Sequence, residues 1–151
     1  MEIVLTLMAN KSPGAPQIIQ LLDWQDNEDH YIMIMDRPMP CMDLKNFVKL
    51  HGESLDEGMA RKVMRQVIEA ADVCIKRGVF HQDIKMKNLL VNQDTMEVKL
   101  IDFGCGVQVK KFGYEVFSEC CHMISSCLQS DPQQRINLEK MHLHDWFKVM
   151  E

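Results

Sequence analysis

Two short stretches carry residues whose types and spacing could do chemistry together. His81-Gln82-Asp83-Ile84-Lys85-Met86-Lys87-Asn88 sets a carboxylate, a cation and a carboxamide on one loop. Asp102-Phe103-Gly104 follows, with its carboxylate nineteen residues after Asp83. Phosphoryl transfer uses such a set. One carboxylate orients the attacking hydroxyl and accepts its proton, a lysine offsets charge on the transferring group, and an amide oxygen with a second carboxylate holds Mg²⁺. Taken singly, Asp83, Asn88 and Asp102 read equally well as turn residues. The weight lies in their combination, H-x-D-x-K-x-x-N, then two apolar runs around a turn, then D-F-G.

The elements that must position these groups follow from local pattern. Leu89-Leu90-Val91 and Val98-Lys99-Leu100-Ile101 flank the polar turn Asn92-Gln93-Asp94-Thr95, which predicts a hairpin ending at Asp102. The clearest helix is predicted over 55–77. Met59, Val63, Val67, Ala70 and Cys74 recur at helical spacing, Ser54 and Glu57 have capping-box spacing, and Gly78 can take the left-handed position beyond the end. Residues 1–9 predict one or two helical turns, broken by Ser12-Pro13-Gly14-Ala15-Pro16. Ile18 to Leu22 predicts a short strand, Gln25 to Asp29 a polar turn, and Tyr31-Ile32-Met33-Ile34-Met35 a strand buried on both faces. Arg37-Pro38-Met39-Pro40 reads as a stiff connector, since proline lacks the N–H a ladder needs. Asp43 can cap a short helix carrying Leu44, Phe47 and Val48 and ended by Gly52. Residues from Ser118 predict a helix with Cys121, Ile124, Cys127 and Leu128 on one face, stopped at Asp131-Pro132. Leu138 to Phe147 predicts a last one, with Trp146 and Phe147 in the core.

Composition bounds the rest. A chain of 151 residues, 46% hydrophobic and 26% charged, has the make-up of one ordinary globular domain and excludes wholesale disorder. A net charge of −5 argues against a general binder of nucleic-acid backbones. No apolar run approaches the roughly 20 residues of a membrane span, and Met1 to Ala9 carries Glu2 and no basic segment, unlike a secretion signal. The six cysteines form no C-x-x-C and are expected to be reduced, mostly buried thiols. Cys120, Cys121, His122, His142 and His144 lack the spacing of a zinc ligand set.

With the loop motifs in place, the sequence resembles the Pim-like serine/threonine protein kinases. His81-x-Asp83-x-Lys85-x-x-Asn88 and Asp102-Phe103-Gly104 carry the superfamily pattern. Leu21-Leu22-Asp23-Trp24, Asp36-Arg37-Pro38-x-Pro40, Gly78-Val79-Phe80-His81, Leu100 to Gly106 and Ser118-Glu119-Cys120-Cys121-His122 narrow it. The resemblance implies Asp83 as catalytic base and Lys85 as the stabiliser of transferring charge. Asn88 and Asp102 would be Mg²⁺ ligands. It implies a hinge at 36–40 that meets adenine, with the Asp36 carbonyl as acceptor, Arg37 beside it, and Pro38 where a backbone N–H would otherwise serve. Asp43 matches the ribose-facing acid, Leu90 and Ile101 would sandwich the base, and Glu2 matches the glutamate that pairs with a strand lysine.

The same resemblance exposes departures. The 151 residues contain no Gly-rich phosphate loop and no Val-Ala-x-Lys strand, so Glu2 is expected to lack its cation. Gln82 stands where many kinases have arginine. Only the thirteen residues Cys105 to Phe117 separate Asp102-Phe103-Gly104 from Ser118, without Ala-Pro-Glu or a central helix F. Arg135 matches an arginine whose glutamate partner is missing. The expectation is therefore an α+β, mainly helical, partial protein-kinase fold: a remnant N-lobe over 1–36, a hinge over 37–43 and a truncated C-lobe over 44–151. Its expected activity is transfer of phosphate from ATP, with Mg²⁺, to serine or threonine of protein substrates, impaired or absent in the isolated chain. A non-catalytic pseudokinase or interaction fragment, binding a protein partner through exposed core, is the alternative. Neither nucleic acid nor membrane is an expected partner, and the expected location is cytoplasmic or also nuclear.

Overall fold

A computed structural model describes residues 1–109, 121–129, 131 and 133–136. Helix α1 (Glu2–Ala9) is followed by an antiparallel ribbon of β1 (Leu21–Asp26) and β2 (Tyr31–Met35). Strand β3 (Cys41–Asp43) runs directly into helix α2 (Leu44–Leu50). The long helix α3 (Glu57–Lys76) comes next, then β4 (Val79–Phe80), a 3-10 turn Met86–Asn88, the hairpin β5 (Leu89–Asn92) and β6 (Val98–Leu100), and β7 (Val107–Gln108).

Helix α3 organises the core. Its inward face, Val63, Val67, Ala70 and Cys74, joins Leu5 and Ala9 of α1, Phe47 of α2, Val91 and Leu100 of the hairpin and Phe103 in one buried cluster. Gly78 follows the helix at φ +78°, as the left-handed position requires. The start differs from the sequence expectation. Asp56, not Ser54, is the cap, and its carboxylate accepts from the Met59 amide at 2.9 Å. Glu57 turns outward to pair with Arg61 one helical turn on. Two capping side chains stood two residues apart, and the ionised one satisfies the first-turn donors and suits the positive end of the helix dipole.

The hairpin is held from beneath by the same helix. Gln66 accepts from the Val98 amide at 2.9 Å and donates to the Met96 carbonyl at 2.9 Å, so its amide acts as a short extra strand beside β6. Lys62 donates to the Thr95 carbonyl at 2.8 Å. The turn itself is an Asn92 turn, with its side-chain oxygen accepting from Asp94 and Thr95 amides. Strand β3 then adds to the other edge of β5, pairing Cys41 with Asn92, Met42 with Val91 and Asp43 with Leu90. The connector Arg37–Pro40 thus ends in a real strand, because both prolines precede the ladder.

One burial expectation fails. The strand Tyr31–Met35 is not buried on both faces. Tyr31, Ile32, Ile34 and Met35 are all exposed, as are Leu22 and Trp24 across the ribbon. An apolar run shows that a strand wants cover, but among the described residues this two-stranded ribbon has no second sheet packed on it. The cysteine expectation is met in part. Cys74 and Cys121 are buried, Cys41 and Cys127 are half-buried, and Cys105 is exposed, and none of these five forms a disulfide. Burial pushes the Cys74 thiol up to about 12, which makes it inert.

Residues 121–127 are helical, as expected of that segment. Arg61 of α3 donates to the Leu128 and Gln129 carbonyls at its end, at 2.7 and 3.1 Å. Arg135 donates to the same Gln129 carbonyl at 3.0 Å, and it makes no ion pair among the described residues. Two guanidinium groups thus converge where helix carbonyls lack partners. Ser118 to Cys120 and the segment Leu138 to Phe147, with His142, His144 and Trp146, lie outside the described residues. Among the described residues no helix is long and apolar enough to cross a membrane.

Candidate active site

Strands β4 and β7 pair antiparallel, Val79 with Gln108 and Phe80 with Val107, and so bring the two ends of segment 81–106 together. Both the catalytic-loop motif and the Asp-Phe-Gly turn lie between them. The 81–88 loop and the 102–104 turn are further joined by one buried side chain, His81. Its Nε2–H donates to the Ile101 carbonyl at 3.0 Å and its Nδ1 accepts from the Asp83 amide at 3.3 Å. Its ring packs against Phe103 with centroids 4.9 Å apart. Asn88 adds a second tie, because its main chain accepts from the Ile101 amide at 3.0 Å.

Around this frame the polar groups converge. Lys85 Nζ lies 2.6 Å from Asp83 Oδ2. Asn88 Nδ2 donates to the same Oδ2 and to the Asp83 carbonyl, both at 3.0 Å. The hydrogen bond from Lys85 holds the Asp83 carboxyl below its usual range, and Asp83 in turn holds the Lys85 ammonium above its own. Both are charged at neutral pH, so Asp83 is a proton acceptor and Lys85 a fixed cation. Gln82 and Asp102 sit at φ +61° and +66°, in the left-handed region. Such conformations cost energy for side chains other than glycine and concentrate at functional turns.

An open cleft of about 690 Å³ lies alongside. Glu2, Asp36, Arg37 and Asp43 line it with Leu90, Ile101 and Asp102. Their positions follow from the topology: β3 is hydrogen-bonded to β5, which places Asp43 opposite Leu90, and Ile101 and Asp102 follow directly on β6. Asp43 is less free than its assignment implied. Its two carboxylate oxygens accept from the Asn46 amide at 3.0 Å and the Asn46 side chain at 2.6 Å, capping α2. Pro38 does not line the cleft. Asp83, Lys85 and Asn88 stand outside its lining, Asn88 being buried between cleft and loop.

Five cleft residues, Ile19, Met35, Cys41, Met42 and Lys87, escaped the sequence reading. Lys87 lies within the motif but matches none of its fixed positions, and the 3-10 turn Met86–Asn88 sends it into the cleft while Asn88 turns to the core. Ile19 and Met42 also line the cleft. Met42 and its neighbours Cys41 and Asp43 all line the cleft, so alternation along β3 singles out none of them, and Ile19 gave no signal beyond its apolar character.

The residues present suit a hard divalent cation. Among the described residues Asp102 Oδ1 accepts only from the Gly104 amide, at 3.2 Å, and Asn88 has both amide hydrogens engaged on Asp83, which leaves its oxygen as an acceptor. A carboxylate and a carboxamide oxygen are the donors Mg²⁺ takes, alongside water and phosphate. No group of three or more His, Cys, Asp or Glu forms a closed metal cage among the described residues.

His81 yields a direct prediction. Burial pushes its imidazole below the ordinary 6.5, against the opposing pull of the Ile101 carbonyl. The unfolded chain therefore takes up this proton at higher pH than the folded one. The contribution to stability is complete above about pH 6.5 and declines as pH falls toward the folded midpoint. Asp83 adds its own loss in a separate window, below its ordinary 3.8. An NMR titration should place His81 below 6.5, with neutral Nε2–H the dominant tautomer. A midpoint above that value would contradict the buried linkage.

Comparison with known proteins gives the family. Residues 2–114 match the family model described as the protein kinase domain. The chain is 41% identical over 106 residues to serine/threonine-protein kinase pim-2 of Danio rerio, covering 70% of this chain and 34% of that protein. It is 34% identical over 117 residues to serine/threonine-protein kinase prk-2 of Caenorhabditis elegans, covering 78% and 26%. Against the hormonally up-regulated neu tumor-associated kinase of Mus musculus it is 37% identical over 108 residues, covering 70% and 15%. The chain thus spans about a third or less of these curated relatives. With a catalytic-loop motif, an Asp-Phe-Gly turn and a cleft alongside them, it belongs to the protein kinase family and carries part of a Pim-like kinase domain.

Proposed function

We propose that this chain carries the catalytic loop and part of the nucleotide cleft of a serine/threonine protein kinase. Asp83 would orient the substrate hydroxyl and accept its proton. Lys85, already held 2.6 Å from Asp83, would lie beside the transferring phosphoryl group. Asn88 and Asp102 would hold Mg²⁺, which when bound neutralises phosphate charge. The 36–40 segment, Asp43, Leu90 and Ile101 would receive the nucleoside. The observation that carries this reading is the coupling through His81 of an ionised Asp83–Lys85 pair to the turn at Asp102, on the rim of a cleft.

We further propose that the isolated 151 residues transfer phosphate poorly. The cleft is open, Glu2 has no cationic partner among the described residues, and Pro38 removes a hinge donor. The alternative, a non-catalytic interaction fragment, draws on a different observation: the ribbon exposes Leu22, Ile32 and Ile34, an apolar surface suited to a protein partner.

Calorimetric titration with ATP tests the nucleotide reading. Binding should be weak and dependent on Mg²⁺, and Asp102→Asn should remove that dependence. Binding equally strong without Mg²⁺, or unaffected by Asp102→Asn, would refute the assigned metal end. No binding at all would favour the interaction fragment.

A further inference from the structure

Glu2 enters the cleft from the first turn of α1. Among the described residues no lysine, arginine or histidine reaches it within ion-pair distance. It nevertheless has a partner. The Tyr31 hydroxyl donates to Glu2 Oε2 at 3.3 Å. Tyr31 opens β2, so this bond ties α1 to the ribbon across twenty-nine positions of sequence. The same carboxylate lies against the Asp-Phe-Gly turn: a Cβ placed on Gly104 would stand 3.7 Å from Glu2 Oε2 and 3.2 Å from Asp102 Oδ1.

We propose that Tyr31 is a positioning residue that holds the Glu2 carboxylate against the Asp102–Gly104 turn. An ammonium group in that place would fix the carboxylate and neutralise it. A phenol fixes it and leaves its charge. Two carboxylates, Glu2 and Asp102, then flank Gly104 at the metal end of the cleft, a field that favours a divalent cation and opposes bare phosphate. The meaning of this for nucleotide rests on the proposed kinase reading, while the contact and its effect on the turn do not.

The test needs no nucleotide. The chain has two tyrosines, so a Tyr114→Phe background leaves Tyr31 as the only phenol. The charged groups facing it are Glu2 from α1 and Asp26, its cross-strand partner on β1. His30, next in sequence, is engaged with Asn27 at 3.2 Å. The negative charge of Glu2 is the main cause raising the Tyr31 phenol above 10.0. Ultraviolet titration should show that raised midpoint, and Glu2→Gln should lower it clearly more than Asp26→Asn does. In parallel, amide exchange at 102–104 should quicken several-fold in Tyr31→Phe and in Glu2→Gln, and no further in the double variant. Amides of α3 should stay unchanged in all three. A phenol indifferent to Glu2, or exchange at 102–104 unmoved by Tyr31→Phe, would overturn the proposal. Failure to bind ATP would instead count against the kinase reading alone.

Discussion

Replacing Val63 by aspartate is expected to unfold the chain. Val63 is 2% exposed and lies on the face of α3 that joins residues of α1, α2 and the hairpin in one buried cluster. A carboxylate there would have to be buried without a partner or be protonated at a cost. Either route belongs to the small class of changes worth about 4–5 kcal/mol. A domain of this size holds only about 5–15 kcal/mol, so little folded population should survive warming. Val63→Ala separates charge from shape: it deletes two carbons and should cost about 2–3 kcal/mol, leaving a folded but less stable chain. Urea unfolding followed by circular dichroism would rank the three proteins. A Val63→Asp midpoint close to that of the parent would show that α3 is not the organiser of the core.

That expectation could be formed from sequence alone, and the reason is physical. The burial of α3 is written as a period of 3.6 residues that persists over five turns, so a single face must be inside. The hairpin was equally legible, since two apolar runs around Asn92 to Thr95 leave one sensible pairing. Asp83, Asn88 and Asp102 were legible as types at a spacing, before any geometry. Other features were not legible because they depend on layers or on distant partners. The run Ile32-Met33-Ile34-Met35 has the same apolar character whether or not another layer covers it, and here it is open. The bond between Tyr31 and Glu2 joins two elements that no local pattern connects. The choice of Asp56 over Ser54 turned on where the first helical turn closes, a matter of one or two residues that cap chemistry alone does not decide. Asp43 shows a third kind of gap. The sequence offered it two roles, helix cap and ribose acid, and the structure engages both of its oxygens in the first.

Phosphate transfer by the purified 151-residue chain to a serine or threonine peptide is expected not to exceed that of an Asp83→Asn control. The chemical groups of the loop are present and charged, so the shortfall is not one of residue type. It is one of alignment. In this reaction class the protein contributes positioning and electrostatics and little covalent chemistry. Displacement of a reacting group by about 1 Å can cost roughly a hundredfold in rate. Here several constraints are loose at once. The cleft of about 690 Å³ is open, the carboxylate of Glu2 is held by Tyr31 and by no cation among the described residues, and Asp43 is committed to capping α2. Losses of that size multiply when they act on separate degrees of freedom, so a few of them suffice to sink transfer below background. The Asp83–Lys85 pair also stands at 2.6 Å, a contact that an incoming hydroxyl must share. Radiolabel transfer from ATP with Mg²⁺, run beside Asp83→Asn and Lys85→Met, measures this directly. Incorporation that disappears in Asp83→Asn would overturn the inactive reading. It would show that the loop, joined by His81 to the turn at Asp102, aligns a phosphoryl group within these 151 residues. Equal background in all three proteins, together with Mg²⁺-dependent ATP binding, would leave a cleft that binds nucleotide and does not use it.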